Sequence, residues 1–196
     1  MKLGAQKLSL DEQIDVARNQ LVRARIFLDL WWYYHGSTTR SESLASLNQF
    51  PEFFRFDEHA HLTAFIVHIT TIFDKGKGKI RLGKLKETIL KNFAVGEEIK
   101  KILNPLFEET DAIVSKVFIL RHQAFAHRSE KDSYDDSFKQ ANVSFDELLE
   151  LTEKSKQILD QFLRLTKQEE VTFRDLPKKD LELMLIKLKP LSDGKH

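Results

Sequence analysis

The chain has 196 residues, of which 41% are hydrophobic and 31% are charged, a balance typical of one ordinary globular domain with its own core. It has no cysteine, which excludes disulfides, thiolate nucleophiles and cysteine-based zinc sites. The formal net charge is +1, so any attraction to nucleic acid or membrane must come from a local patch.

The first predicted helix begins after Ser9, which forms a capping box with Glu12. Apolar residues then recur at three- and four-residue spacing, at Ile14, Ala17, Leu21, Ala24, Leu28 and Trp31. Gly36 is the expected end of this helix. The aromatic run "WWYY" just before it is interpreted as packing against a core or an interface, and not as a surface for stacking bases.

Residues 36–55 are predicted to form an irregular connection, because Pro51 interrupts any regular helix through them. A second helix is expected over about 57–74, with Ala60, Ala64, Phe65, Val67, Ile69 and Phe73 as its apolar residues. The glycine-rich stretch "DKGKGKIRLGK" ends it. A short amphipathic helix is then expected near 84–93.

The segment 97–127 carries a helical pattern that is interrupted by Pro105. One apolar face nevertheless continues across the proline, through Ile102, Leu106, Ile113, Val117, Leu120 and Ala124. The pattern predicts either one kinked helix or two abutting helices, with Asn104 capping the second.

A polar loop over 128–142 precedes a second capping box, formed by Ser144 and Glu147. It opens a long helix expected to reach about Lys167. Strand-like alternation of useful length is missing, so the predicted fold class is all-α, a helical bundle over 9–168. A C-terminal extension over 169–196 contains a short amphipathic helix at about 178–189.

The sequence also predicts where the chain works. Its first residues, "MKLGAQKLSLDEQ", have no apolar signal region, and no apolar run approaches the roughly 20 residues that cross a bilayer. We therefore expect a cytoplasmic protein with no membrane partner.

Several kinds of site are disfavoured. The run "DKGKGK" lacks the spacing and the Ser or Thr of a Walker phosphate loop. His59 and His61 point about 200° apart on a helix and cannot share a metal ion. Such histidines are expected to be solvated or to cap helices, and neither a metal nor a cofactor is predicted.

A basic run follows the second predicted helix. It places six cations within twelve residues, namely Lys75, Lys77, Lys79, Arg81, Lys84 and Lys86. A glycine-rich loop of this charge, opening onto a helix, is suited to an RNA phosphate backbone. The alternative is a solvated turn whose lysines only keep it soluble.

The stretch "ILRHQAFAHRSE" ends the apolar helix predicted over 97–127, which we call the motif helix, with an unusual concentration of polar side chains: Arg121, His122, Gln123, His127 and Arg128. Histidine can transfer protons near neutral pH, and arginine is a permanent cation with a planar fork of donors. Cleavage of RNA through its 2′-hydroxyl needs an acid, a base and positive charge near the phosphorus. The alternative is that these cations only complement the helix dipole.

The stretch "LRHQAFAH" resembles the R-x4-6-H motif of the HEPN superfamily (higher eukaryotes and prokaryotes nucleotide-binding domains). In that motif a polar residue often follows the arginine, as His122 does, and alanine commonly precedes the histidine, as Ala126 does. The wider pattern is similar to the abortive-infection type U branch, through "WWYYH", "TIFDKGKGKIRLGKL", the motif helix and the long final helix. The resemblance covers roughly residues 10–168.

This resemblance implies an up-and-down bundle of four to five helices, a homodimer whose two motifs face each other, and metal-independent cleavage of RNA in phage defence or a toxin–antitoxin system. Arg121 and His127 would be the catalytic pair, with His122 beside them, and Arg128 would join the basic run in binding RNA. An antitoxin protein is a candidate partner. The alternative is an inactive module of the same fold that binds nucleotide, nucleic acid or a protein.

One position departs from the pattern. Toxins paired with a nucleotidyltransferase antitoxin carry a tyrosine two residues after the motif histidine, where the nucleotide is attached. Ser129 occupies that position here, and the nearest tyrosine is Tyr134. We therefore expect no silencing by that route.

Overall fold

The computed structural model of the chain describes residues 8–76, 78–93, 97–122 and 139–189. Within these ranges the principal elements are α1 (Leu10–His35), α2 (Ser37–Leu47), α3 (Pro51–Thr71), α4 (Leu82–Asn92), α5 (Glu97–Leu120), α6 (Phe145–Thr166) and α7 (Leu176–Lys187). The same ranges contain no strand, and the prediction of an all-α fold is confirmed. None of the helices in the described part of the chain combines the length and apolarity needed to cross a membrane.

The helix α1 lies at the centre of the fold. Its capping box is formed as predicted, since the Ser9 amide donates to Glu12 Oε2 at 2.7 Å and the Glu12 amide donates to Ser9 Oγ at 3.2 Å. The predicted stripe is buried from Ile14 to Leu28, and Trp31 packs against it half-buried. Each fully buried leucine on it contributes about 1.5–3 kcal/mol by removal from water. This stripe packs mainly against α3 and α6.

Two apolar clusters hold the helices together. The larger one joins α1, α3, α4, α5 and α6. The smaller one joins the end of α1 with α2, the start of α3 and α7, through Leu30, Tyr33, Tyr34, Leu47, Phe54, Leu181 and Leu185. Two of the four "WWYY" aromatics are thus core residues, and Trp32 stacks on Phe145 with 3.7 Å between ring centroids. In the described structure these aromatic residues pack against other parts of the chain, as predicted.

The prediction of an irregular connection over 36–55 was wrong. Eleven of these residues form α2, and Pro51 opens α3 at its first turn instead of interrupting a helix. Proline is well suited to that position, because the first helical amides have no acceptor within the helix and the ring already holds a helical φ angle. Thr39 Oγ1 stabilises the junction between α1 and α2 by donating to the Tyr33 carbonyl at 2.8 Å.

The helix α5 runs continuously through Pro105, so the two predicted alternatives resolve to one helix. Asn104 caps no helix there; its Oδ1 accepts a hydrogen bond from Lys86 Nζ at 2.7 Å. Ile102 was predicted to face the core but is 44% exposed, and Leu103 is buried in its place. Before the proline, the buried face of this uninterrupted helix is therefore shifted by one residue, from Ile102 to Leu103. The buried residues of α5 are Leu103, Leu106, Thr110, Ile113, Val117 and Leu120.

The C-terminal part of the chain packs on the bundle. Ser144 and Glu147 form the predicted capping box of α6. The segment after α6 is tied to the start of α1 by ion pairs from Arg18 Nη1 to Glu169 Oε2 at 2.7 Å and from Lys167 Nζ to Asp15 Oδ2 at 2.5 Å. The helix α7 then contacts α1 and α2, and Ser46 Oγ donates to the Leu185 carbonyl at 2.7 Å. Whether residues 169–196 are a separate unit stays a prediction.

Candidate functional site

Arg121 and His122 continue α5 beyond Leu120 in a wider turn of π type. Such local widening of a helix is frequent at functional sites. Phe118 precedes Arg121 by three residues and His122 by four, so it lies on the same face of the helix. Its ring centroid lies 5.7 Å from Arg121 Cζ and 6.0 Å from the centroid of the His122 ring. The aromatic ring therefore supports both polar side chains at this helix end.

Asp74, in the loop after α3, contacts the guanidinium group of Arg121. The distance from Arg121 Nη1 to Asp74 Oδ2 is 3.3 Å, and the side chains are 29% and 23% exposed. The Gly76 amide donates to the other carboxylate oxygen at 2.9 Å. This amide hydrogen bond, with a smaller contribution from Arg121, lowers the pKa of the Asp74 carboxyl below its usual range. Asp74 is therefore ionised at neutral pH and fixes the side of the helix on which Arg121 lies.

The contact leaves most of the arginine fork available. A guanidinium group has five N–H donors, and within the described residues that of Arg121 makes one hydrogen bond, to Asp74. The remaining donors can bind phosphate oxygens in the bidentate manner that arginine favours. The exposed imidazole of His122 lies beside it. The arrangement can hold an anion at the end of α5.

The basic loop, residues 74–81, begins with Asp74 and therefore lies beside Arg121 and His122. The loop closes at its base, where the Leu82 amide donates to the Ile72 carbonyl at 2.9 Å. Gly78 has a φ of +79°, a left-handed conformation that favours glycine. Lys75 and Lys79 are exposed, and Arg81 is half-buried. Three of the predicted RNA-binding cations thus follow within seven residues of Asp74, the residue that contacts Arg121.

The last two cations of the run have other surroundings. Lys86 points toward α5, with its Nζ 4.6 Å from the centroid of the Phe107 ring as well as bonded to Asn104. Lys84 is exposed on α4. Lys86 therefore packs between α4 and α5, and Lys84 lies on the surface of α4. Neither lysine is counted in the basic loop, which ends at Arg81.

Several of the predicted site residues lie outside the described residues. They are Lys77 in the basic loop and Gln123, Ala126, His127, Arg128, Ser129 and Tyr134 after the end of α5. The pairing of Arg121 with His127 therefore stays a prediction, as do the roles of Arg128 and Lys77.

The histidines of α3 were expected to be solvated or capping residues, but two of them are half-buried between α1 and α3. Phe27 stacks on His68 at 5.5 Å and lies tilted against His61 at 5.8 Å. His68 Nδ1 donates to Gln20 Oε1 at 2.5 Å, and His61 Nδ1 donates to the Asp57 carbonyl at 2.7 Å. Burial lowers the pKa of both imidazoles. Across the described ranges, no three His, Asp or Glu side chains are grouped to hold a metal ion.

Asp74 is the site residue that the sequence analysis missed. A local signal existed, since an aspartate two residues before a glycine at a helix end is typical of a turn in which the carboxylate accepts the glycine amide. That signal predicts the bond to Gly76, which is present. It contains no information about Arg121, which lies 47 residues further along the chain.

Comparison with known proteins shows the family of the chain. A family model described as HEPN_AbiU2, AbiU2, matches residues 7–182. This range includes α1 to α6 and the first part of α7, and so contains Asp74, Arg121 and the basic loop. Neither the curated proteins nor the solved structures compared with the chain gave a match.

Proposed function

Because the chain belongs to the AbiU2 family of HEPN domains, an abortive-infection type, we propose that it is a metal-independent endoribonuclease. The observation that carries the proposal is the end of α5, where Arg121 is held by Asp74 beside a loop with exposed lysines. A guanidinium group that is held in place and has unused N–H donors can bind a phosphate of an RNA strand.

The proposed reaction proceeds through the 2′-hydroxyl of the RNA. A base removes the 2′-hydroxyl proton while that oxygen attacks the adjacent phosphorus, and the bond to the 5′-oxygen breaks as an acid protonates the leaving oxygen. The products are a 2′,3′-cyclic phosphate and a 5′-hydroxyl. His127 serves as acid or base, Arg121 stabilises the charge on the phosphorane, and His122 is the adjacent polar residue. The pair acts without a metal.

The site is proposed to be shared between two copies of the chain. On a continuous helix, Arg121 and His127 would lie about 120° apart around the axis and about 9 Å apart along it. A second motif helix across a two-fold axis supplies the missing partner for each. The assembly is therefore a homodimer, with RNA as substrate and an antitoxin protein as the further partner that would silence it.

The test is cleavage by purified protein in the presence of a chelator. We expect single-stranded RNA to be cut to products ending in a 2′,3′-cyclic phosphate, and DNA, which has no 2′-hydroxyl, to stay intact. His127→Ala and Arg121→Ala should each lower the rate about a hundredfold or more. The matched controls His59→Ala and Arg55→Ala remove exposed residues of the same types from α3 and should cleave normally.

A second candidate function is an inactive HEPN-like module that binds nucleotide, nucleic acid or a protein partner. The observation favouring it is the ion pair itself, because a carboxylate beside Arg121 offsets part of the charge that a phosphorane would use. Wild-type protein that binds RNA and yields no cyclic phosphate, with or without a partner, would establish this alternative. Folded His127→Ala protein with full activity would move the chemistry to other residues.

A further inference from the structure

A groove with a volume of about 680 Å³ lies between the loop after α3, the first half of α4 and the stretch of α5 from Phe107 to Phe118. Its lining includes three half-buried phenylalanine rings, Phe73, Phe107 and Phe118. The groove is continuous with the candidate site, because Asp74 and Phe118 line it and both contact Arg121. Its volume lies within the range of 300–1,000 Å³ that is usual for sites of small ligands.

Charges of both signs line this groove. Lys75 and Arg81 line it near Arg121, and within the described residues no hydrogen bond or ion pair engages the Lys75 ammonium group. Asp111 and Glu87 line it elsewhere. Asp111 precedes Arg121 by ten residues, so it lies about 15 Å away along the helix axis. Lys75 and Arg81 therefore lie beside Asp74, the carboxylate that contacts Arg121, and the Asp111 carboxylate lies further along α5.

We propose that this groove binds one nucleotide of a single-stranded RNA. The base lies against the ring of Phe107, its phosphate lies at Lys75 and Arg81, and the carboxylates of Asp111 and Glu87 can accept hydrogen bonds from amino groups of the base. Stacking on an aromatic ring beside cations is how single strands are usually held. The inference rests on the proposed function in one respect, since it makes this nucleotide the neighbour of the phosphate at Arg121.

Gly83 allows the groove to be closed without disturbing the fold. It is the second residue of α4, it lines the groove, and a Cβ atom built on it meets nothing within 4 Å. Helices favour other residues over glycine, so a side chain at this position is compatible with folding. Gly83→Phe places a ring in the groove, and Gly83→Ala is the matched control that leaves the groove open.

The experiment measures binding of a fluorescein-labelled 2′-O-methyl RNA of twelve nucleotides by fluorescence anisotropy. This probe cannot be cleaved through its 2′ position, so binding is separated from chemistry. We expect Gly83→Phe to raise Kd about tenfold or more, and Gly83→Ala to change it less than about twofold. Equal Kd values for the two variants, both folded by circular dichroism, would overturn the inference.

Two further variants test the groove without filling it. Phe107→Ala should raise Kd about fivefold or more through lost stacking. Lys75→Ala should reduce the slope of log K against log salt by about 0.7, the value for one phosphate contact on a single strand. Lys91→Ala, at the far end of α4, removes an exposed lysine outside the groove and should leave the slope unchanged. Unchanged Kd and slope in the groove variants would overturn the inference.

The two proposals can fail separately. If wild-type protein cleaves RNA while Gly83→Phe binds and cleaves like Gly83→Ala, the groove assignment is overturned and the nuclease proposal stands. If wild-type protein never cleaves but its binding of the probe depends on Gly83 and Phe107 as described, the nuclease proposal falls and the groove assignment stands.

Discussion

The contact between Asp74 and Arg121 joins two segments of the chain that meet only in the folded protein. Asp74 is held from one side by the Gly76 amide, so the position of its carboxylate is set by the loop. Its second oxygen contacts the guanidinium group of Arg121 and so limits the positions that this group can take. Asp74 acts on the substrate only through Arg121, and we regard it as a positioning residue.

Replacing Asp74 by Asn tests this role. The amide oxygen can still accept from Gly76 and keep the turn, but the charge facing Arg121 is lost. Because a displacement of about 1 Å at a reacting group can be costly, we expect kcat for RNA cleavage to fall about tenfold, with KM changed less. The measurement is steady-state cleavage of a labelled RNA by variant and wild type.

Asp180→Asn provides the control, because it removes an exposed aspartate of α7 that lies outside the groove and makes no ion pair in the described part of the chain. It should leave kcat unchanged. An Asp74→Asn protein with unchanged or higher kcat would show that the carboxylate does not position Arg121 for catalysis.

At the scale of residues, the sequence predicted the polar side chains at the end of α5 but not their neighbours. Arg121 and His122 could be singled out because polar side chains at the end of an apolar helix are conspicuous. Asp74 could not be connected to Arg121, since their contact depends on how α3 and α5 are placed by the core. The half-buried positions of His61 and His68 were missed for the same reason, because Phe27 and Gln20 belong to a different helix.

The interface between α1 and α3 contains two imidazoles whose protonation the fold resists. Burial lowers the pKa of His68, with a further effect of Arg23, and burial lowers that of His61 against the opposing effect of Asp57. In the unfolded chain both titrate near pH 6.5. Below that pH the unfolded state binds more protons than the folded state, so the free energy of unfolding falls with falling pH. The contribution of the two neutral imidazoles to the free energy of unfolding is therefore fully present above about pH 6.5.

We therefore expect the melting temperature to decrease by about 2–4 °C between pH 7.5 and pH 5.5, the effect of about 1 kcal/mol in a domain of this size. His68→Gln keeps a donor for Gln20 but does not titrate, so the decrease should be smaller in this variant. Differential scanning calorimetry at both pH values measures the effect. Identical decreases in variant and wild type would exclude His68 as the source.

Pro105 and Pro51 are expected to respond in opposite ways to the same substitution. Pro105 lies inside α5 and cannot donate to the carbonyl of Lys101, a defect that costs about 3 kcal/mol relative to alanine in a helix interior. Pro105→Ala should raise the melting temperature by about 6 °C or more. Pro51→Ala, in the first turn of α3, should bring no gain, because no intrahelical bond is restored there. A lower melting temperature of Pro105→Ala would contradict this account.

At the scale of elements, prediction succeeded where a local bond marks a helix end. Both capping boxes, at Ser9 and at Ser144, are present as expected. It failed at α2, whose sequence "STTRSESLASL" has few apolar residues and little periodicity. That helix is held by its neighbours: Leu47 packs against the cluster that includes α7, and Ser46 bonds to the Leu185 carbonyl.

The whole molecule is expected to act as a dimer, and mixing two inactive variants tests how the sites are composed. A heterodimer of Arg121→Ala and His127→Ala chains contains one complete site if each site takes its arginine and its histidine from different copies. Half of the dimers in an equal mixture that has exchanged subunits are such heterodimers, so about a quarter of the wild-type activity should return.

The same mixture gives no recovery if each site is built within one copy. Sedimentation velocity at tens of micromolar protein should show a dimer for the wild type and for both variants. A wild-type monomer at that concentration would contradict a composite site, whatever the activity of the mixture.

The position of α1 has a consequence for synthesis of the protein on the ribosome. This helix is made before the other helices of the bundle, yet the ion pair from Arg18 to Glu169 joins residues 151 positions apart, and α7 follows later still. At typical elongation rates of 5–20 residues per second, α1 waits about 8–30 s for these contacts. Its apolar stripe stays partly uncovered during that interval, so we expect chaperones that bind exposed apolar segments to bind the nascent chain.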